Sequence, residues 1–142
     1  MIRITKQFTF HMAHAIEGYD GLCAHIHGHE YMLQVTVAGN PDDNGMVIDF
    51  KRLKDIVQER ILDWYDHSLL LKDTEKSRSI ADSMEAGWGN VHIVPFQPSS
   101  ENIVLDMVLR LESAFRGNVS LFSIRLCETG SSWVEWFKDD NK

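Results

Sequence analysis

The chain has 142 residues, of which 44% are hydrophobic and 25% charged, and a formal net charge of −7 at pH 7. A chain of this length buries about 70% of its unfolded surface, so we expect residues 1–142 to form a single domain that needs no metal to fold. Two cysteines are too few for a disulfide framework, and no apolar run is long enough to span a membrane. The net negative charge disfavours nucleic acid as a binding partner. We therefore expect a soluble, cytoplasmic protein.

Two strands are predicted in the first forty residues. Apolar side chains alternate from Ile2 onward and end in His14, so one face of a first strand is apolar up to that histidine. A second alternating run, residues 27–37, begins its apolar face with His27 and His29. Antiparallel pairing of the two runs places the end of the first beside the start of the second. The three histidines then converge.

The rest of the chain predicts two helices and several short strands. In chain order these are a turn at 41–45, an extended run at 46–50, a helix from Phe50 to near Tyr65, an irregular segment at 72–92 with at most one short helical turn, and a strand at 92–96. A second helix, capped by Ser99 or Ser100, is expected to end near Gly117, and residues 119–129 and 132–137 form a hairpin around Gly130. This order indicates an α+β fold, an antiparallel sheet with both helices on one face.

The converging histidines are candidate metal ligands. Three imidazoles bind Zn²⁺ and leave a fourth coordination position open, which is typical of catalytic zinc. Two other interpretations remain: the histidines are polar residues at the rim of a core, or Cys23 is the fourth ligand of a closed structural site. His25 shares the strand face of His27 and His29, so it competes as a ligand.

Two further groups are candidates for chemistry. Asp66 and His67 follow the first helix and read either as a helix-ending polar pair or as an acid/base relay. Glu128 ends an apolar strand face, where it either meets solvent or binds a ligand with paired N–H donors, as a pterin or guanine edge offers.

Six motifs in this order resemble the 6-pyruvoyl-tetrahydropterin synthase and 6-carboxy-tetrahydropterin synthase family. They are FHMAH, C-x3-HGH, GMVIDF, DH, PSSEN and CET, spread over roughly residues 8–130. The resemblance implies a tunnelling fold, in which sheets of several subunits join into a β-barrel. It also implies a homohexamer of two stacked trimers with active sites between subunits, an arrangement that covers exposed sheet edges.

The resemblance assigns a role to each motif residue. His14, His27 and His29 match the zinc ligands, and Cys23 matches the catalytic thiol. Asp66 and His67 match its proton-relay partners, while Glu128 matches the residue that binds the pterin. The segment that helps hold the pterin ring contains Ser99, Ser100 and Glu101.

The expected activity is that of a zinc-dependent lyase acting on 7,8-dihydroneopterin triphosphate. Of the two reactions in the family we favour formation of 6-carboxy-tetrahydropterin, with loss of triphosphate and acetaldehyde, in the queuosine and deazapurine pathway. Formation of 6-pyruvoyl-tetrahydropterin, with the side chain retained, is the first alternative. The others are a non-catalytic pterin-binding protein and a domain in which zinc is purely structural.

Overall fold

A single mixed β-sheet organises the protein in the computed structural model, which describes residues 1–85 and 87–142. Across these residues the sheet has six strands in the order β4-β3-β1-β2-β5-β6. The strands are β1 (Ile2–His14), β2 (His27–Gly39), β3 (Ser68–Lys72), β4 (Val91–Val94), β5 (Val119–Thr129) and β6 (Ser132–Phe137).

Four α-helical segments accompany the sheet in the described part of the chain. They are α1 (Phe50–Val57), α2 (Asp63–Tyr65), α3 (Glu75–Glu85) and α4 (Ser100–Glu112). A π-helical turn, Gln58–Leu62, joins α1 to α2, so the expected helix from Phe50 to Tyr65 is present with one irregular turn. None of the helices described is long and apolar enough to cross a membrane.

β1 and β2 pair antiparallel along their whole length, as the alternation of their side chains predicts. His14 lies opposite His27, and Met12 lies opposite His29. Since side chains at one parity share a face, this register brings all three histidines to the same end of the same face. The predicted convergence is confirmed.

The main core lies between this face and helices α1 and α4. Leu53 and Ile61 from the first helical region and Ile103 and Met107 from α4 are fully buried against strand residues such as Leu33. Burying each such side chain contributes about 1.5–3 kcal/mol. Helix α4 begins where Ser99 accepts a hydrogen bond from the Asn102 amide, as expected for an N-cap serine. The predicted α+β class, with these two helices on one face, is confirmed.

The sheet is mixed because β3 and β4 extend it with parallel pairs. The expected antiparallel pairing holds for β1, β2, β5 and β6. β3, which was not predicted, lies parallel to β1 and to β4. Its residues 68–71 are all buried, so the run has no polar alternation, as is typical of a strand covered on both faces.

The expectation of an irregular segment at 72–92 is wrong for the described part of that segment, which contains α3; residue 86 lies outside the described residues. Ser77, Ile80, Ala81 and Met84 share a helical spacing, and they include the buried or half-buried positions that face the sheet. Ala81 packs with Leu69, Leu71 and Val91 on the sheet face opposite α1 and α4. Because the buried Ser77 is polar, the helical period of this stripe was not recognised in the sequence.

Two smaller predictions also fail. Residues 46–49 form no strand and bend at 47–48. The Met46 amide donates a hydrogen bond to Asp42 Oδ1 in the preceding turn, and Asp49 caps α1. Gly117 does not end the second helix, which stops at Glu112. Its positive φ of 69° serves the turn that leads into β5.

Candidate active site

His14, His27 and His29 form a compact group at the ends of β1 and β2. Each offers one ligand atom, and these atoms all lie within 4.8 Å of one another. Zn–N bonds of 2.0–2.1 Å in a tetrahedral site separate the ligand nitrogens by about 3.3 Å. Among the residues described, this triad is the group of side chains placed to hold a metal ion.

The hydrogen bonds of two of the rings fix which nitrogen is free. His14 Nδ1 lies 2.7 Å from the Pro98 carbonyl oxygen, and His27 Nδ1 lies 2.7 Å from the His25 carbonyl oxygen. A carbonyl oxygen only accepts, so each Nδ1–H donates and each neutral ring keeps a lone pair on Nε2. Burial lowers the pKa of His14 below its ordinary value, which favours this neutral form.

These free nitrogens are arranged for a cation. The Nε2 atoms of His14 and His27 are 3.1 Å apart, and two lone pairs at that distance cannot hydrogen-bond to each other. His29 Nε2 is buried and makes no hydrogen bond to any described residue, although Glu128 Oε1 lies 3.3 Å away. Backbone carbonyls that orient imidazoles from behind are a usual feature of metal sites, so the residues present fit a metal ion.

A pocket of about 450 Å³ opens beside His14. Its polar lining comes from the N-terminus of α4 and from the end of β5, and its apolar lining comes from the loop after β1 and from β6. The lining residues are His14, Ile16, Tyr19, Cys23, Ser99, Ser100, Glu101, Glu128, Ser132, Trp133 and Val134. Most of the residues predicted for the site therefore surround one cavity.

Glu128 reaches this pocket because the pairing of β5 with β6 shifts at that residue. Cys127 pairs with Trp133 and Thr129 with Ser132, which leaves Glu128 as the extra residue. Such a bulge redirects the side chain that it displaces. Ser100 donates a hydrogen bond to Glu128 Oε2 at 2.5 Å. One carboxylate oxygen is thereby held by α4, and the other lies beside the histidines.

Cys23 enters the pocket from the loop between β1 and β2. It lies in a short 3₁₀ turn, Leu22–Ala24, and is exposed. Its carbonyl oxygen accepts a hydrogen bond of 2.8 Å from the Ile16 amide, which closes the loop on itself. The Cys23 thiol is therefore a free group that lines the same pocket as His14 of the histidine triad.

Asp66 and His67 form a pair elsewhere on the same chain. His67 Nδ1 lies 2.9 Å from Asp66 Oδ1, which also accepts from the His11 amide at 2.9 Å. His67 has φ 60°, a conformation that costs a residue with a Cβ about 1–2 kcal/mol. Its ring is 77% exposed and lines a different hollow, with His11, Glu30 and the triad member His29. The structure therefore forms the carboxylate–imidazole pair but does not bring it to the Cys23 pocket of its own chain.

Comparison with known proteins places the chain. The model of the family described as 6-pyruvoyl tetrahydropterin synthase matches residues 3–139. A 6-carboxy-5,6,7,8-tetrahydropterin synthase of Haemophilus influenzae is 39% identical, over 96% of this chain and 99% of the relative. The chain belongs to the 6-pyruvoyl tetrahydropterin synthase family. The family and these relatives indicate that the protein is an enzyme of the lyase class.

Two further comparisons agree with this placement. A 6-carboxy-5,6,7,8-tetrahydropterin synthase of Rickettsia bellii is 33% identical, over 95% of this chain and 99% of the relative. The solved 6-pyruvoyl tetrahydropterin synthase of Caenorhabditis elegans superposes with a TM-score of 0.69 at 21% identity, covering 96% of this chain and 94% of that one. This likeness confirms the tunnelling fold.

His25 does not join the group of His14, His27 and His29. Its ring is exposed, and it contributes its carbonyl oxygen, which orients His27. The residue caps the 3₁₀ turn that carries Cys23, so its backbone turns away from the strand parity that the sequence predicted for it.

Several pocket residues were not predicted from the sequence. Trp133, which is 50% exposed, and Tyr19 supply aromatic lining, while Pro98 supplies the carbonyl that orients His14. The strand after Glu128 folds back beside it, so an aromatic residue just past the hairpin turn was a detectable signal for Trp133. No sequence pattern marks a carbonyl such as that of Pro98.

Proposed function

We propose that the protein is a zinc-dependent lyase that converts 7,8-dihydroneopterin triphosphate and water into 6-carboxy-tetrahydropterin, acetaldehyde and triphosphate. The observation that carries the proposal is the meeting of three groups at one pocket: the histidine triad, the Cys23 thiol and the Glu128–Ser100 pair. The curated relatives at 39% and 33% identity, both named 6-carboxy-5,6,7,8-tetrahydropterin synthase, support this reaction over the pyruvoyl-forming one. The reaction would serve the queuosine and deazapurine pathway.

Zinc is the ion that suits the donor set best. Three neutral imidazoles with no carboxylate ligand fit Zn²⁺ and not the oxygen-seeking Mg²⁺ or Ca²⁺. A bound Zn²⁺ would supply Lewis acidity to substrate oxygen atoms at its open position. The Pro98 and His25 carbonyls hold the rings of His14 and His27 in the orientation that this ion needs.

Glu128 would bind the pterin ring. The N–H groups of a pterin edge form a pair of donors, and a carboxylate accepts two such hydrogen bonds side by side. Ser100 already donates to Oε2, which keeps the carboxylate facing the pocket. Ser99 accepts one hydrogen bond as the α4 cap and keeps its O–H donor, while Ser100 keeps its acceptor capacity, so both hydroxyls and Glu101 would be available to the ring.

Cys23 would act as the base that removes a proton from a side-chain carbon of the substrate. A thiolate is the reactive form of cysteine, and Cys23 is exposed to the pocket. His67, held by Asp66, would return the proton. Because this pair lies outside the pocket of its own chain, we propose that it serves the pocket of a neighbouring subunit in a homohexamer of two stacked trimers.

Product analysis tests the proposed reaction. The metal-loaded protein is incubated with 7,8-dihydroneopterin triphosphate, and the pterin product is identified by mass. We expect 6-carboxy-tetrahydropterin together with acetaldehyde. A product that retains the three-carbon side chain would assign the pyruvoyl-forming reaction instead, and tight pterin binding with no product would indicate a binding protein on the same scaffold.

A further inference from the structure

The loop that carries Cys23 is held to the body of the protein by the side chain of Gln97. Gln97 Oε1 accepts from the Glu17 amide at 2.9 Å, and Gln97 Nε2 donates to the Glu17 carbonyl oxygen at 2.7 Å. Both backbone groups of Glu17 are therefore satisfied by one side-chain amide, which pairs with them as a neighbouring strand would.

The backbone of Gln97 is itself held by hydrogen bonds. Its backbone carbonyl oxygen accepts from the Ser99 backbone amide at 2.8 Å and from Asn102 Nδ2 at 3.0 Å. The next residue, Pro98, holds His14, and Ser100 holds Glu128. Residues 97–100, where the chain enters α4, thus make hydrogen bonds to the loop that carries Cys23, to His14 of the histidine triad and to the Glu128 carboxylate.

The two hydrogen bonds from Gln97 to Glu17 also restrain the turn that carries the Cys23 thiol. Ile16, which precedes Glu17, donates to the Cys23 carbonyl oxygen at 2.8 Å. Fixing Glu17 therefore fixes the stem to which the Cys23 turn is bonded. The turn itself contains Leu22, which is 84% exposed, and no residue of it is buried, so its own packing does little to hold it.

We propose that Gln97 is a positioning residue, which sets the Cys23 loop against the metal triad and the Glu128–Ser100 pair through its two hydrogen bonds to Glu17. The proposal deepens the proposed function, since it rests on Cys23 acting in the pocket. Only a side chain with one donor and one acceptor at this reach satisfies both groups of Glu17. A carboxylate would keep the bond from the amide but oppose the carbonyl oxygen.

Hydrogen exchange followed by mass spectrometry tests the positioning without substrate. Gln97→Met removes both hydrogen bonds at nearly constant volume, and we expect exchange of the amides in residues 15–26 to rise by roughly tenfold, as the loss of ordinary hydrogen bonds predicts. Gln34→Met is the matched control, because Gln34 donates to Gln7 at 3.0 Å elsewhere on the sheet. It should leave residues 15–26 unchanged.

Steady-state kinetics complete the test. In Gln97→Met we expect kcat to fall by about tenfold with KM and zinc content unchanged, because Glu128 and the triad keep their own contacts. If that variant does not fold, Gln97→Glu, which keeps one bond, should give a smaller change in the same direction. Unchanged exchange in residues 15–26, or faster exchange with unchanged kcat, would overturn the proposal. A wild-type protein without turnover would instead refute the proposed function and leave the exchange result interpretable.

Discussion

The Nε2 atoms of His14 and His27 face each other at 3.1 Å although the Nδ1 atoms of both rings already donate to backbone carbonyls. Two neutral imidazoles in this state present only lone pairs to each other, and a cation between them removes the conflict. His29 adds a third buried nitrogen without a hydrogen-bond partner in the described part of the chain. The hydrogen bonds behind the rings of His14 and His27 therefore leave a group of nitrogen lone pairs that could hold a metal ion.

Replacing a ligand should abolish tight metal binding, whereas replacing the adjacent histidine should not. We expect His27→Ala to weaken Zn²⁺ binding by at least about a hundredfold, since it removes one of three ligands. His25→Ala is the control, because His25 serves the site through its carbonyl oxygen and not its ring. Competition with a chromophoric chelator measures both affinities. Equal losses in the two variants would show that His25 is a ligand.

Removing the thiol should separate catalysis from metal binding. We expect Cys23→Ala to lose turnover and keep a full complement of zinc, because the triad supplies the ligands without it. Cys127→Ala, which removes the buried cysteine beside Glu128, is the control for a general effect of losing a thiol. Zinc content by atomic spectroscopy and product formation are measured on the same samples. Loss of zinc in Cys23→Ala would make the thiol a ligand and remove it from the mechanism.

The hydrogen bond from Ser100 to Glu128 should contribute to pterin affinity. Bonds to a charged acceptor are worth about 1.5–3 kcal/mol, so we expect Ser100→Ala to weaken pterin binding by roughly tenfold or more. Glu128→Gln should weaken it further, because the amide presents one acceptor and opposes a donor with its NH₂. Isothermal titration with a pterin gives the affinities, and Ser83→Ala in α3 serves as the control. Unchanged affinity in Glu128→Gln would place the pterin elsewhere.

Mixing two inactive variants should restore activity if the Asp66–His67 pair serves the pocket of a neighbouring subunit. Cys23→Ala and His67→Ala chains, unfolded together and refolded, should form about one intact site in four, because an intact thiol and an intact imidazole then meet across an interface. Each variant refolded alone is the control. Absence of any recovery in mixtures proven to be mixed by mass spectrometry would place both groups in one chain's site.

Tyr65, which immediately precedes Asp66 and His67 in the chain, should stabilise the fold. Its hydroxyl donates to Asp106, to which Arg110 Nε also donates at 2.6 Å, and burial raises the pKa of the phenol. We expect Tyr65→Phe to lower the free energy of unfolding by about 1–2 kcal/mol, since it removes a hydrogen bond to a carboxylate. Urea unfolding measures the loss, with the exposed Tyr19→Phe as the control. Equal stability of both variants would contradict this role.

How much of the site the sequence predicts depends on which force places each residue. Strand alternation predicted the convergence of His14, His27 and His29, because period-two patterning fixes both face and register. The sequence did not predict β3 or α3, because a strand buried on both faces lacks alternation and a buried serine interrupts the helical stripe.

Contacts made by backbone atoms could not be predicted from the sequence. The carbonyls of Pro98 and His25 orient the rings of His14 and His27, and a carbonyl has no side-chain signature. The separation of His67 from the Cys23 pocket depends on chain geometry in three dimensions, which spacing along the sequence does not encode.

Dependence of acetaldehyde release on zinc tests the central claim most directly. The protein is stripped of metal with a chelator, returned to chelator-free buffer, and titrated with Zn²⁺ in the presence of 7,8-dihydroneopterin triphosphate while acetaldehyde and the pterin product are measured. We expect no acetaldehyde from the stripped protein and full release of acetaldehyde with 6-carboxy-tetrahydropterin at about one Zn²⁺ per chain. Undiminished turnover of the metal-free protein would contradict the account.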